Sequence, residues 1–181
     1  DSFNGAPVPV WTRTLPGGPS GAANHAERSR PVATLDGLLL GVDAGPGLYL
    51  LSQKDGRVLQ HYKSQASVQG SAVLLKDGVI FSDVSGRTYL YTHEGERVWT
   101  HESGSPILST PKVAYDRVYF TNVDDLTVAL NVDAGTLSWQ YQRPSDAART
   151  ADLALFGAPT PVFADGQLVT GYSDGYLVGL H

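Results

Sequence analysis

Apolar and polar positions alternate along this chain in short runs, and the runs are broken by Gly, Asp, Ser or Asn. The clearest stretch is 77–99, DGVIFSDVSGRTYLYTHEGERVW. It reads as a short strand at 79–82, a turn at Ser85-Gly86, an alternating strand at 88–92, a turn at Glu94-Gly95, and a strand at 97–101 that carries Trp99. Alternation with period two, bounded by turn residues, is the signature of a half-buried strand. No stretch shows the three-to-four residue spacing of a helix.

The same phrase returns at 116–139, DRVYFTNVDDLTVALNVDAGTLSW, in a more worn form at 36–60, and shortened at 165–181. In each complete copy the Gly of the last turn precedes one slot by four residues: Gly56 and Gln60, Gly95 and Trp99, Gly135 and Trp139. Successive slots lie 39 and 40 residues apart. Four short strands in a repeat of roughly 40 residues predict a β-propeller blade. One blade cannot bury both of its faces, so neighbours must stack.

The pattern predicts one all-β domain over 1–181, with blades at 31–62, 70–101, 108–141 and 158–181. The last blade lacks a final strand, while 8–15 (VPVWTRTL) reads as a strand carrying Trp11 with no repeat in front of it. The expectation is that 8–15 completes the fourth blade. About four blades are present, either half of an eight-bladed ring or a small closed four-bladed ring. A broken blade leaves an apolar flank, which favours a piece of a longer propeller. Trp11, Trp99 and Trp139 are expected in the seams between blades, where a large ring with one polar handle fits.

Composition narrows the function. Hydrophobic residues make up 41% and charged residues 17%, a folded composition rather than a disordered one. Eighteen acidic against thirteen basic residues give a net charge of -5, which argues against nucleic-acid binding. The chain has no Cys, hence no disulfide or thiolate chemistry, and no Met even at position 1, so it is expected to start inside a longer precursor. No apolar run is long enough to span a bilayer.

Candidate chemistry is sparse. Gly171-Tyr172-Ser173-Asp174-Gly175 satisfies G-x-S-x-G, but that motif needs a strand-to-helix turn, and the repeat places it at a strand-to-strand turn. Asn131-Val132-Asp133-Ala134-Gly135 faintly matches a calcium loop without the remaining acidic ligands; a turn with a bulge accounts for it better. His93 and His101 flank one turn and are candidates to approach each other, with no third ligand. Asp124-Asp125 is read as a solvated turn rather than an acid/base pair. No catalytic residue, cofactor or metal is expected.

The ending Ala129-Leu130-Asn131-Val132-Asp133-Ala134-Gly135-Thr136-Leu137-Ser138-Trp139 resembles the pyrroloquinoline-quinone (PQQ)-type propeller repeat. From Val8 on, the order of leading strand, Gly-rich loop, three blades and a long insertion is similar to the N-terminal half of the BamB family of outer-membrane β-barrel assembly lipoproteins. The insertion at 142–152 is followed by Leu153-Ala154-Leu155-Phe156-Gly157. The resemblance implies docking on a BamA-like barrel assembly protein through an L-x-L-R-G pattern. Leu153, Leu155 and Gly157 match it; Phe156 stands where the family has Arg, which removes the charge-assisted part of the contact. Read from the residues alone, two Leu and a Phe on a polar linker also suggest a docking loop, or else apolar side chains tucked under it.

The resemblance further implies a non-catalytic periplasmic scaffold, peripheral membrane association through a lipid anchor, and contact with unfolded outer-membrane protein segments. The alternatives are a PQQ-type repeat domain that binds another ligand, and a fragment of a quinone-dependent dehydrogenase. The second is disfavoured by the missing Cys pair and by the lack of a recognisable calcium site, since a fold does not carry its chemistry along.

Overall fold

The computed structural model describes residues 8–15, 29–42, 46–143 and 159–181. Every regular element among them is a strand. Blade 1 holds β1 (Val32–Ala33), β2 (Leu38–Gly41), β3 (Pro46–Leu51) and β4 (Val58–Ser67). Blade 2 holds β5 (Val73–Leu74), β6 (Val79–Ser82), β7 (Arg87–Tyr91) and β8 (Arg97–Glu102). Blade 3 holds β9 (Lys112–Ala114), β10 (Arg117–Thr121), β11 (Leu126–Asn131) and β12 (Leu137–Gln142). Blade 4 holds β13 (Val162–Ala164), β14 (Gln167–Gly171) and β15 (Leu177–Leu180). Each blade is an antiparallel meander in chain order, giving three four-stranded sheets and one of three strands among the described residues. The fold is an all-β propeller.

The middle strands are apolar on both faces because both faces are covered. In β6, Val79 and Phe81 point to blade 1 and join Leu39, Leu48, Tyr62 and Val68 in one cluster. Ile80, between them, points the other way and joins Val118, Phe120, Val128 and Leu130 of blade 3. Tyr119 and Ala129 then meet Leu168 of blade 4. Successive side chains of a strand thus serve two different seams, which is the physical reason the blades cannot separate without exposing core.

In blades 1, 2 and 3 the pairing of the third and fourth strands slips at a shared place, between Leu50 and Leu51, Leu90 and Tyr91, and Ala129 and Leu130; blade 1 slips a second time between Pro46 and Leu48. The bulge lies beside the slot held by Gln60, Trp99 or Trp139, whose partners across the ladder are Leu50, Leu90 and Ala129. An extra residue there sharpens the local twist and turns the slot side chain toward the next blade.

Residues 8–15 differ from the strand expected of them. They form no ladder, and β15 keeps an open edge among the described residues. Their hydrogen bonds are made by side chains to blade 1 instead: Trp11 Nε1 donates to Gln53 O at 2.9 Å and Arg13 Nε to Asp55 O at 3.0 Å. Pro9 has no N–H to give to a ladder.

Candidate functional site

The seams between blades repeat one device. The slot residue at the end of one blade hydrogen-bonds a carbonyl in the last turn of the next, and lies over the Gly of that turn. Gln60 Nε2 donates to Glu94 O at 2.9 Å, beside Gly95. Trp99 Nε1 donates to Val132 O at 2.8 Å, and its ring lies so close to Gly135 that a Cβ there would sit 2.5 Å from Cδ2. Trp11 meets the blade 1 turn in the same manner, over Gly56. Gly135 has φ 65°, a conformation that suits glycine. Trp139 differs: its ring packs on Tyr119 at 5.9 Å between centroids, in a cluster with Phe163 and Leu168.

A buried carboxylate organises the seam of blades 1 and 2. Asp83 Oδ2 accepts from Gln65 N, Ala66 N and Tyr89 Oη, while Oδ1 accepts from Ser85 N, Ser85 Oγ and Arg87 N. Burial and the Asp83 hydrogen bond both push the Tyr89 phenol up, so it stays a donor. An Asp that accepts from backbone on two blades is a cross-link, and nothing before the structure distinguished it from any other strand-end Asp.

The seam of blades 3 and 4 is polar at its centre. Thr121 Oγ1 lies 3.0 Å from Thr127 Oγ1 and 3.1 Å from Thr170 Oγ1, and Thr127 Oγ1 lies 2.7 Å from Tyr172 Oη. Asp125, read from sequence as part of a solvated turn, is buried at 7% exposure with φ 60°. It occupies the slot of Gly86 and accepts from Ser173 N at 3.0 Å and Ser173 Oγ at 2.5 Å. The correction has a plain cause: the neighbouring turn lies within reach, so the carboxylate bridges blades instead of facing water. Asp124 accepts from Ser105 Oγ.

The G-x-S-x-G stretch is therefore a turn between β14 and β15 whose Ser173 hydroxyl donates to Asp125. Asn131 Oδ1 accepts from Asp133 N and Ala134 N, closing a local turn. His93 and His101 sit at opposite ends of the β7–β8 hairpin, since His101 pairs with Thr88 while His93 lies past Tyr91 in the turn. Burial pushes the His101 imidazole below its usual value. Among the described residues no group of three His, Asp or Glu is arranged to hold a metal.

The docking residues expected from sequence, Leu153, Leu155, Phe156 and Gly157, lie outside the described residues. The structure does describe where that connection leaves blade 3. Arg143, just after β12, reaches blade 4: its Nε lies 2.6 Å from Asp174 Oδ2, and its guanidinium stacks 3.9 Å from the centre of the Tyr176 ring. Burial works against the Asp174 charge, but the Arg143 hydrogen bond, the Tyr176 N–H and the Arg143 charge together hold its carboxyl below the usual range. Sequence reading missed this clamp; an Arg beside a Pro/Ser linker carries no periodic signal.

Comparison with known proteins agrees with this geometry. Residues 9–181 match the family model of the outer membrane protein assembly factor BamB. The outer membrane protein assembly factor BamB of Salmonella typhimurium is 28% identical over 160 residues, covering 82% of this chain and 38% of that protein. The chain thus spans well under half the length of the curated relatives it matches. Among solved structures, BamB from Moraxella catarrhalis superimposes with a TM-score of 0.68 at 16% identity, over 85% of this chain and 45% of that one. The computationally designed Ika4 protein gives a TM-score of 0.72 at 13% identity, over 97% of this chain and 99% of that one. Both likenesses establish the fold.

Proposed function

The chain belongs to the BamB family of outer membrane protein assembly factors, and we propose that it is a non-catalytic scaffold that docks on the β-barrel assembly machinery. The observation that carries this reading is the family match across residues 9–181. In this reading the partner is a BamA-like barrel assembly protein, and the contact is made by Leu153, Leu155, Phe156 and Gly157. The scaffold works in the periplasm, at the outer membrane, with a lipid anchor as its means of association. Stacked blades supply rigidity, and rigidity lowers the ordering cost of presenting a short apolar segment to a partner. Extended segments of client proteins add along strand edges such as that of β15, which is open among the described residues.

The test is binding of this chain to the periplasmic domains of the assembly machinery, beside a Leu155→Asp variant. Binding by the unmodified chain that the variant loses by tenfold or more, about 1.4 kcal/mol, supports the reading and locates the contact. A folded chain that does not bind overturns it and leaves a repeat domain for another ligand.

A further inference from the structure

A groove of about 680 Å³ opens between blades 1 and 2, lined by His61, Lys63, Gln65, Arg87, Tyr89, Tyr91 and Arg97 among others. Its charge runs against the rest of the molecule. The chain has eighteen acidic and thirteen basic residues, yet the lining includes Lys63, Arg87 and Arg97 and no Asp or Glu. Low-dielectric walls concentrate such a field inside a cleft.

The walls have a period. His61, Lys63 and Gln65 are alternate residues of β4, and Arg87, Tyr89 and Tyr91 are alternate residues of β7, so each wall presents one face of one strand. Arg97 pairs with Tyr91 across the ladder, four positions along β7 from Arg87. At a rise of about 3.3 Å per residue, the two guanidinium-bearing positions are offset by about 13 Å along the strand. A lone phosphate spans one of them. An extended peptide with acidic side chains at alternate positions matches the offset and the period together.

The backbone behind the groove is already committed. Lys63 O accepts from Tyr91 Oη, Gln65 N donates to Asp83 and to Tyr89 Oη, and Ala66 N donates to Asp83. Recognition therefore falls to side chains. One of them already holds a carboxylate: Arg87 Nη2 lies 3.2 Å from both oxygens of Glu102, which is 61% exposed. An exposed ion pair of this kind is weak and exchangeable. Lys63 and Arg97 are themselves exposed.

We propose that this groove binds an extended acidic polypeptide segment, with Lys63, Arg87 and Arg97 pairing its carboxylates above a floor formed by the buried Tyr89 and Tyr91. The groove lies on blades 1 and 2, whereas the connection assigned to machinery docking runs from blade 3 to blade 4. Each site can fail without the other.

The experiment uses the full chain and a fluorescent peptide alternating Glu with Thr, followed by anisotropy at low and physiological salt. Lys63→Glu with Arg97→Glu is the variant; both side chains are exposed, and a thermal melt confirms folding. The expected result is binding that weakens with salt and falls by at least about tenfold in the variant, with little binding of a Lys-for-Glu peptide. Equal binding of the two peptides, unchanged binding by the folded variant, or no binding at low salt overturns the proposal. So does displacement of the peptide by equimolar inorganic phosphate, which identifies a simple anion site.

Discussion

Between blades 2 and 3 the buried apolar cluster is Ile80, Leu90, Trp99, Ile107, Val118, Phe120, Val128 and Leu130, with one hydroxyl pair, Ser82 and Thr88, bonded to each other beside it. Between blades 3 and 4 a smaller apolar cluster of Tyr119, Ala129 and Leu168 is joined by Thr121, Thr127, Thr170 and Tyr172, linked oxygen to oxygen, with Asp125 bound to Ser173 beside them. The first seam is mostly non-directional, the Trp99 Nε1–Val132 O hydrogen bond aside. Its apolar positions accept other side chains of the same volume at modest cost, because apolar burial scales with area. The second seam is directional, since each buried hydroxyl or carboxylate costs free energy unless its partner is in place. The difference sorts the seams by what they tolerate. The apolar one resists loss of volume, and the polar one resists loss of register.

The largest effect expected is on the apolar seam. Phe120 is fully buried, and Phe120→Ala should cost about 3–5 kcal/mol in chemical denaturation, the lost transfer term plus the cavity. Asp125→Ala in the polar seam removes far fewer atoms but strands the Ser173 N–H and hydroxyl, and should cost about 1–3 kcal/mol. A double variant would sharpen the comparison. The two losses should add to within about 0.5 kcal/mol, because Phe120 faces blade 2, Asp125 faces blade 4, and they share no hydrogen-bond partner. Phe120→Ala costing less than Asp125→Ala would reverse the assignment of which seam carries the stability.

The same contrast decides what the sequence could show. Alternation in β6, β7, β10 and β11 and the spacing of Gly56, Gly95 and Gly135 made the blades legible, because an apolar seam is written as a periodic pattern that every repeat shares. The polar seam is written as departures from that pattern: Asp125 where a Gly stood, Tyr172 in the slot of Asp83 and Asn122. A departure has no period, so the bridge to Ser173 and the Arg143–Asp174 clamp are properties of the fold that the sequence pattern does not carry. Residues 8–15 show the complementary failure. Their alternation read as a strand, but Trp11 and Arg13 bond the blade 1 turn with side chains, and periodicity does not distinguish a laddered segment from a docked one.

Two glycines refine the account of the Trp-bearing seam. Gly135 and Gly175 both have positive φ, 65° and 87°. A Cβ at Gly135 would collide with the Trp99 ring, whereas nothing lies within 4 Å of one at Gly175. Gly175→Ala should therefore cost only the backbone term, about 1–2 kcal/mol. Gly135→Ala should cost that plus displacement of Trp99 from Val132 O, seen as a shift in Trp fluorescence that the Gly175 variant lacks. Equal costs and no spectral shift would mean that the indole is held by its ring packing alone.

The smallest effect expected is on the clamp at the rim of the polar seam, and its sign follows from Asp174. The carboxyl lies below its ordinary value of 3.8 in the folded protein. The unfolded chain therefore takes up the proton first as pH falls. The stability contributed by the Arg143–Asp174 pair is fully present above about pH 5. It declines as pH drops through the ordinary value toward the lower folded one, and is absent below both. The melting temperature of the natural chain should exceed that of Asp174→Asn at neutral pH, with a gap that closes as pH falls below about 4. Salt should narrow the same gap at neutral pH, because the pair is partly open to solvent. A gap that persisted unchanged into acid would assign the contribution of Asp174 to its local turn with Tyr176 N, and leave Arg143 held by its stack on the Tyr176 ring.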